Sequence, residues 1–72
     1  VLLANIVKAR KMDKILDVGA GSGIISILLA GKMGYGNVSA LEIQKNMAAL
    51  AARNVEMNGL SDKIVVINLG NS

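Results

Sequence analysis

The sequence predicts an α/β fold, in which helices and strands alternate and the strands form a parallel sheet. Three observations carry that reading. Apolar periodicity switches in a regular order between helical and strand spacing along the 72 residues. The strand-type runs are short and aliphatic, as in strands buried inside a layered domain. The connections are also short, and one is a glycine-rich passage that leaves a strand and opens a helix. Strand, helix, strand units of this kind require a right-handed crossover and therefore parallel neighbours.

The elements follow in order. Val1 to Ala9 puts Val1, Leu2, Asn5, Ile6 and Ala9 on one stripe, which predicts a short helix. Lys14-Ile15-Leu16-Asp17-Val18, closed by Gly19, reads as a buried strand. Gly23 to about Met33 reads as a helix that is apolar nearly all round, so it must be covered on more than one side. Gly34-Tyr35-Gly36-Asn37 is a turn by its chemistry, and Asn37 to Glu42 is a second strand. Met47, Leu50, Ala51 and Val55 make Gln44 to Asn58 an amphipathic helix. Asn58-Gly59 ends it, with Gly59 suited to the left-handed position after the cap and Leu60 placed to fold back onto the last turn. Ile64-Val65-Val66-Ile67 is a third strand without alternation, as expected for burial on both faces.

Composition bounds the function. At 72 residues and 7.5 kDa the chain is one small domain or part of one. A chain this short buries only about 60% of its unfolded surface, so its stability is marginal. With no Cys and no His, it excludes a disulfide framework, a zinc finger, and thiolate or imidazole catalysis. Hydrophobic residues make up 53%, mean hydropathy is +0.51 and Tyr35 is the only aromatic residue, so this is a packed aliphatic sequence. The net charge of +3 is scattered except for Lys8 to Lys14, which reads as a solvated loop ahead of a phosphate-contacting patch. The longest apolar run, Ile24 to Ala30, is far shorter than the ~20 residues that span a bilayer. A start at Val1 without a basic leader argues against a signal peptide, places the chain in the cytoplasm and suggests excision from a longer protein.

The segment that carries chemistry is Ile15-Leu16-Asp17-Val18-Gly19-Ala20-Gly21-Ser22-Gly23-Ile24. Three alternating glycines between a strand and a helix let the backbone touch a ligand, with the N–H groups of the loop and of the helix start as donors. Glu42 closes the next strand, 25 positions after Asp17. In a parallel sheet both acids emerge at the same carboxyl edge, flanking the crevice where such sheets bind ligands. Glu42 can accept two hydroxyl hydrogens from a ribose diol. Asp17 has a second reading, since a strand-end carboxylate often braces its own loop.

Two nucleotide fingerprints fail. G-x-G-x-x-G counted from Gly19 meets Ile24 at its last glycine, and counted from Gly21 it meets Ser26. The phosphate loop G-x-x-x-x-G-K-[ST] fails because Gly31-Lys32 is followed by Met33.

Asp17-Val18-Gly19-Ala20-Gly21-Ser22-Gly23 instead resembles motif I, D-x-G-x-G-x-G, of the Rossmann-like methyltransferases that use S-adenosylmethionine (SAM). With Val1-Leu2-Leu3-Ala4, Leu41-Glu42-Ile43-Gln44, Asn54 and Asn58, the chain is similar to the N-terminal half of the bacterial valine-tRNA adenine N6-methyltransferases and their small-domain relatives. The resemblance implies a three-layer αβα fold with a parallel sheet, cut to its first βαβαβ half plus an N-terminal helix. It implies SAM as cofactor and Asp17, Gly19, Ala20, Gly21, Gly23, Glu42 and Ile43 as cofactor-binding residues. The glycine loop and Asp17 would border the methionine portion, Glu42 would bind the ribose and Ile43 would lie against the adenine.

The family commonly has an acid after the third strand, where this chain has Asn68-Leu69-Gly70-Asn71. The adenine N6 enzymes also carry Asn or Asp followed by Pro-Pro and an aromatic, and this chain has no Pro. The expectation is a cofactor-binding half, silent by itself, of an enzyme that methylates an exocyclic amine of a tRNA adenine. The RNA would be held by the other half, and copies of the chain would associate through the open edge of the first strand. A dinucleotide-binding oxidoreductase half and a purely structural fragment are the alternatives.

Overall fold

The computed structural model describes residues 2–3 and 12–70. In chain order the elements are β1 (Leu2–Leu3), β2 (Ile15–Val18), α1 (Ile24–Ile27), a π-helical turn (Leu28–Lys32) that prolongs α1, β3 (Val38–Glu42), α2 (Lys45–Met57) and β4 (Ile64–Asn68). The strands form one sheet in the order β1-β2-β3-β4, and every neighbouring pair is parallel. The expected α/β architecture with helical crossovers is therefore present, and the strand-to-helix alternation from Ile15 onward matches the periodicity.

The N-terminal helix is corrected at Leu2–Leu3, which pair with Ile15 and Leu16 as a strand; the rest of Val1–Ala9 and the Lys8–Lys11 part of the basic cluster lie outside the described residues. A nine-residue helix is marginal alone, whereas the outer edge of β2 offers backbone groups that a neighbouring strand satisfies. The edge that was expected to be open is thus paired at Ile15 and Leu16.

Register decides which residues share a face. Ile15 pairs with Val38 and Val38 with Ile64, so Ile15, Asp17, Val38, Ala40, Glu42, Ile64 and Val66 point one way. The core gathers on that side, where Leu29, Ala30, Val55 and Leu60 pack on Ile15, Val38, Ala40 and Ile64. Both crossovers step in the same direction across the sheet, and right-handedness puts both helices over one face. The opposite face consists of Leu16, Val18, Ser39, Leu41, Val65 and Ile67, and among the described residues no element covers it. Val18 and Val65 are 63% and 58% exposed there. Burial of the third strand on both faces is corrected accordingly: β4 is buried only at Ile64 and partly at Val66. α1 likewise keeps Ile24, Ile25 and Leu28 exposed and buries Ser26 instead.

The end of α2 matches its sequence signature. Gly59 adopts φ +68, its N–H donates to the Glu56 carbonyl (3.0 Å), and the Leu60 N–H donates to the Val55 carbonyl (3.0 Å). These two bonds satisfy carbonyls of the last turn and bring Leu60 into the core.

Candidate functional site

The site lies at the carboxyl edge of β2 and β3, as parallel topology requires. Gly19, Gly21 and Gly23 all take positive φ, at +71, +57 and +87. This alternation of left-handed glycines folds the chain from β2 into α1 within five residues. A Cβ on Gly19 would meet nothing within 4 Å, so the loop opens there, whereas one on Gly23 would stand 3.2 Å from the Ala51 Cβ. Gly19 therefore leaves room for a ligand, and Gly23 lets α1 lie against α2.

Four of the loop N–H groups that the sequence offers as ligand donors make bonds within the chain. Gly19 and Ala20 both donate to the Leu41 carbonyl (2.9 and 3.0 Å), and Gly23 donates to the Ala20 carbonyl (3.0 Å). Gly21 donates to Glu42 Oε1 at 2.7 Å. The Ala20 side chain belongs to the core cluster, so the place the sequence assigned it beside a ligand is filled by its backbone. The N–H groups of Gly19, Ala20, Gly21 and Gly23 are thereby already engaged within the chain.

Glu42 is the electrostatic centre of this edge. Its Oε1 accepts from Gly21 and its Oε2 from the Gln44 N–H (2.9 Å). These bonds, the one from Gln44 foremost, hold its carboxyl below the ordinary value of 4.5 against the opposing effect of burial. Each oxygen keeps a further lone pair, so the ionised group can still accept hydrogen bonds from a diol. A folded-state pKa below the unfolded one means that Glu42 contributes stability above pH 4.5, lost as pH falls through 4.5 toward the folded value. Urea midpoints between about pH 6 and pH 3 should therefore fall more steeply for the parent than for Glu42→Gln, and parallel curves would show that these bonds add nothing.

Asp17 stands on the same sheet face as Glu42, one strand away, but is turned toward α1. The Ser26 hydroxyl donates to Asp17 Oδ2 at 2.7 Å, with Asp17 at 5% and Ser26 at 0% exposure. Here the bracing reading of Asp17 is realised through a side chain and not through loop N–H groups. Ser26→Ala removes the donor from a buried carboxylate, a loss of about 1.5–3 kcal/mol, offset by ~0.5 kcal/mol of helix propensity. Urea denaturation should show a net destabilisation of about 1–2.5 kcal/mol; a parent-like midpoint would mean that water replaces the hydroxyl.

The apolar rim follows the sequence reading in part. Ile43 is 69% exposed directly after Glu42, and Leu69 is 54% exposed after β4. The Leu69 N–H donates to the Glu42 carbonyl (2.9 Å), and Gly70 packs so tightly on the Ile43 carbonyl that a Cβ there would collide with it. Where an acid was absent, Asn68 instead accepts the Gly70 N–H on Oδ1 (3.0 Å) and shapes the turn.

The sequence reading gave no site role to three contributors. Ser26 entered it only at the failed last position of a glycine fingerprint, Gln44 acts through its backbone, and Asn54, named only within the resemblance, donates to the Ser22 carbonyl at 2.9 Å across 32 positions. A mid-helix Asn with low helix propensity was the available signal for the last.

The chain is similar to known proteins in sequence and in fold. The family model described as ribosomal protein L11 methyltransferase (PrmA) matches residues 1–72. A ribosomal protein L11 methyltransferase of Syntrophomonas wolfei is 46% identical over 59 residues, which are 82% of this chain and 19% of the relative. A tRNA1(Val) (adenine(37)-N6)-methyltransferase of Dyadobacter fermentans is 36% identical over 56 residues, 78% of this chain and 23% of the relative. The chain thus spans about a fifth of the length of these curated relatives. The crystal structure of the N-terminal domain of human METTL16 in complex with SAH superposes with a TM-score of 0.72 at 28% identity, covering 90% of this chain and 26% of that one.

Proposed function

The chain belongs to the family of ribosomal protein L11 methyltransferases (PrmA), and from that premise we propose that it is the SAM-binding portion of a methyltransferase. The observation that carries the reading is the juxtaposition of a ribose-competent carboxylate with an open glycine loop. The Glu42 carboxylate, held ionised by backbone N–H groups, accepts from Gly21, two residues along the loop from the open position at Gly19. SAM, when bound, supplies an activated methyl group.

The residues present fit that molecule. Glu42 accepts the two ribose hydroxyls, Gly19 leaves the backbone open to the methionine portion with Gly21 bordering it, and the exposed Ile43 side chain offers an apolar surface to the adenine. Gly23 and Ala20 shape the loop from behind, and Asp17 holds its base through Ser26. SAM has no pyrophosphate, so a loop whose N–H groups are internally bonded is no obstacle to it. The METTL16 domain, solved in complex with SAH, supports the same cofactor class.

Calorimetric titration of the chain should show SAM and its demethylated product binding more tightly than NAD. Equal indifference to all three would sink the assignment. No labelled methyl transfer is expected from the 72 residues, which carry no Asn or Asp followed by Pro-Pro.

For the acceptor, the family model and the S. wolfei relative favour a ribosomal protein. The exocyclic amine of a tRNA adenine is the second reading, favoured by the D. fermentans relative and by the similarity at Leu41-Glu42-Ile43-Gln44. In either case the acceptor is held by residues outside this span. Association of copies, if it follows from exposed apolar surface, has its physical ground in the uncovered sheet face and not in the edge of β2.

A further inference from the structure

Helix α2 joins the two halves of the site. At its start, the Gln44 N–H donates to Glu42 Oε2. In its third turn, Ala51 abuts Gly23 and the Asn54 amide reaches the Ser22 carbonyl. The three positive-φ glycines between Gly19 and Gly23 make the loop a segment with much conformational freedom to lose. A side-chain anchor from a rigid helix removes that freedom before any ligand arrives.

We propose that Asn54 is the positioning residue of the glycine loop: by holding the Ser22 carbonyl against α2, its amide keeps the loop in the form that receives the cofactor. The inference rests on the SAM reading for the ligand, but the ordering of the loop does not. Ser22 lies between two bonded loop amides, Gly21 donating to Glu42 and Gly23 donating to the Ala20 carbonyl. Turning the Ser22 peptide would disturb both. Asn54 is half-buried and its amide bonds the carbonyl of Ser22, which is not among the residues assigned to the ligand, so its effect passes through the Ser22 backbone.

Asn58 provides the control. Its amide donates to the Asn54 carbonyl at 2.7 Å, a bond of the same chemistry on the same helix that does not reach the loop. Asn54→Asp keeps the shape of the side chain but faces the Ser22 carbonyl with an acceptor. Amide hydrogen exchange of the ligand-free chain at Gly21 and Gly23 should accelerate about three- to tenfold in Asn54→Asp and Asn54→Ala, and stay at the parent rate in Asn58→Ala. Affinity for S-adenosylhomocysteine should fall by a similar factor in the Asn54 variants alone. Unchanged exchange in both Asn54 variants, or equal acceleration in Asn58→Ala, overturns the proposal. Faster exchange with parent affinity overturns its link to binding. A parent chain that ignores S-adenosylhomocysteine refutes the cofactor reading, and the exchange rates still decide the role of Asn54.

Discussion

Gly23→Val is expected to remove roughly half of the stability of this chain. Gly23 holds φ +87, a conformation that costs a β-branched residue about 1–2 kcal/mol. Its Cβ would also stand 3.2 Å from the Ala51 Cβ and 3.3 Å from the Ala51 Cα, both on a rigid helix that cannot yield cheaply. Overpacking of this kind adds about 1–3 kcal/mol, so the total is ~2–5 kcal/mol. A domain of this length has only about 4–11 kcal/mol to lose. Urea denaturation followed by circular dichroism measures the effect. Gly19→Ala is the comparison: its φ is also positive, but nothing lies within 4 Å of the new Cβ, so it should destabilise by only about 1 kcal/mol. Equal midpoints for the two variants would show that the approach of α1 to α2 is not what Gly23 provides.

Glu42→Ala should carry the largest effect on binding. The substitution removes the proposed acceptor of both ribose hydroxyls and releases the Gly21 and Gln44 N–H groups together. Hydrogen bonds to a charged partner support a loss of about tenfold to a hundredfold in affinity for S-adenosylhomocysteine. Glu42→Gln separates the two contributions only partly, because its amide nitrogen cannot accept from either backbone donor. It should bind less well than the parent and better than Glu42→Ala. Calorimetry on the three proteins is decisive: parent-like affinity in Glu42→Ala would confine this residue to bracing the loop.

The glycine loop, the strand ends and the capping of α2 were legible because each is written in local chemistry. Alternating glycines need positive φ, Asn58-Gly59-Leu60 spells a helix stop, and Glu42 closes a strand. The bonds made across the chain were not legible. Nothing in the spacing of Ser26 and Asp17, or of Asn54 and Ser22, announces that they meet, since each pair is joined only once the helices lie on the sheet. The exposure of Val65 and Ile67 escaped for a related reason: an apolar run reports a preference for burial, while the presence of a covering layer depends on other segments.

By itself, then, the sequence determined the order of elements from Ile15 to Asn68, the parallel sheet and the edge at which a ligand could bind, because periodicity and turn chemistry act over a few residues. Only the tertiary structure decided that Leu2–Leu3 form a strand on the outer side of β2, that both helices lie on one face, and that the loop N–H groups are engaged before a ligand comes. Those outcomes follow from crossover handedness and from the need of every buried backbone donor for a partner, conditions that only the assembled chain imposes.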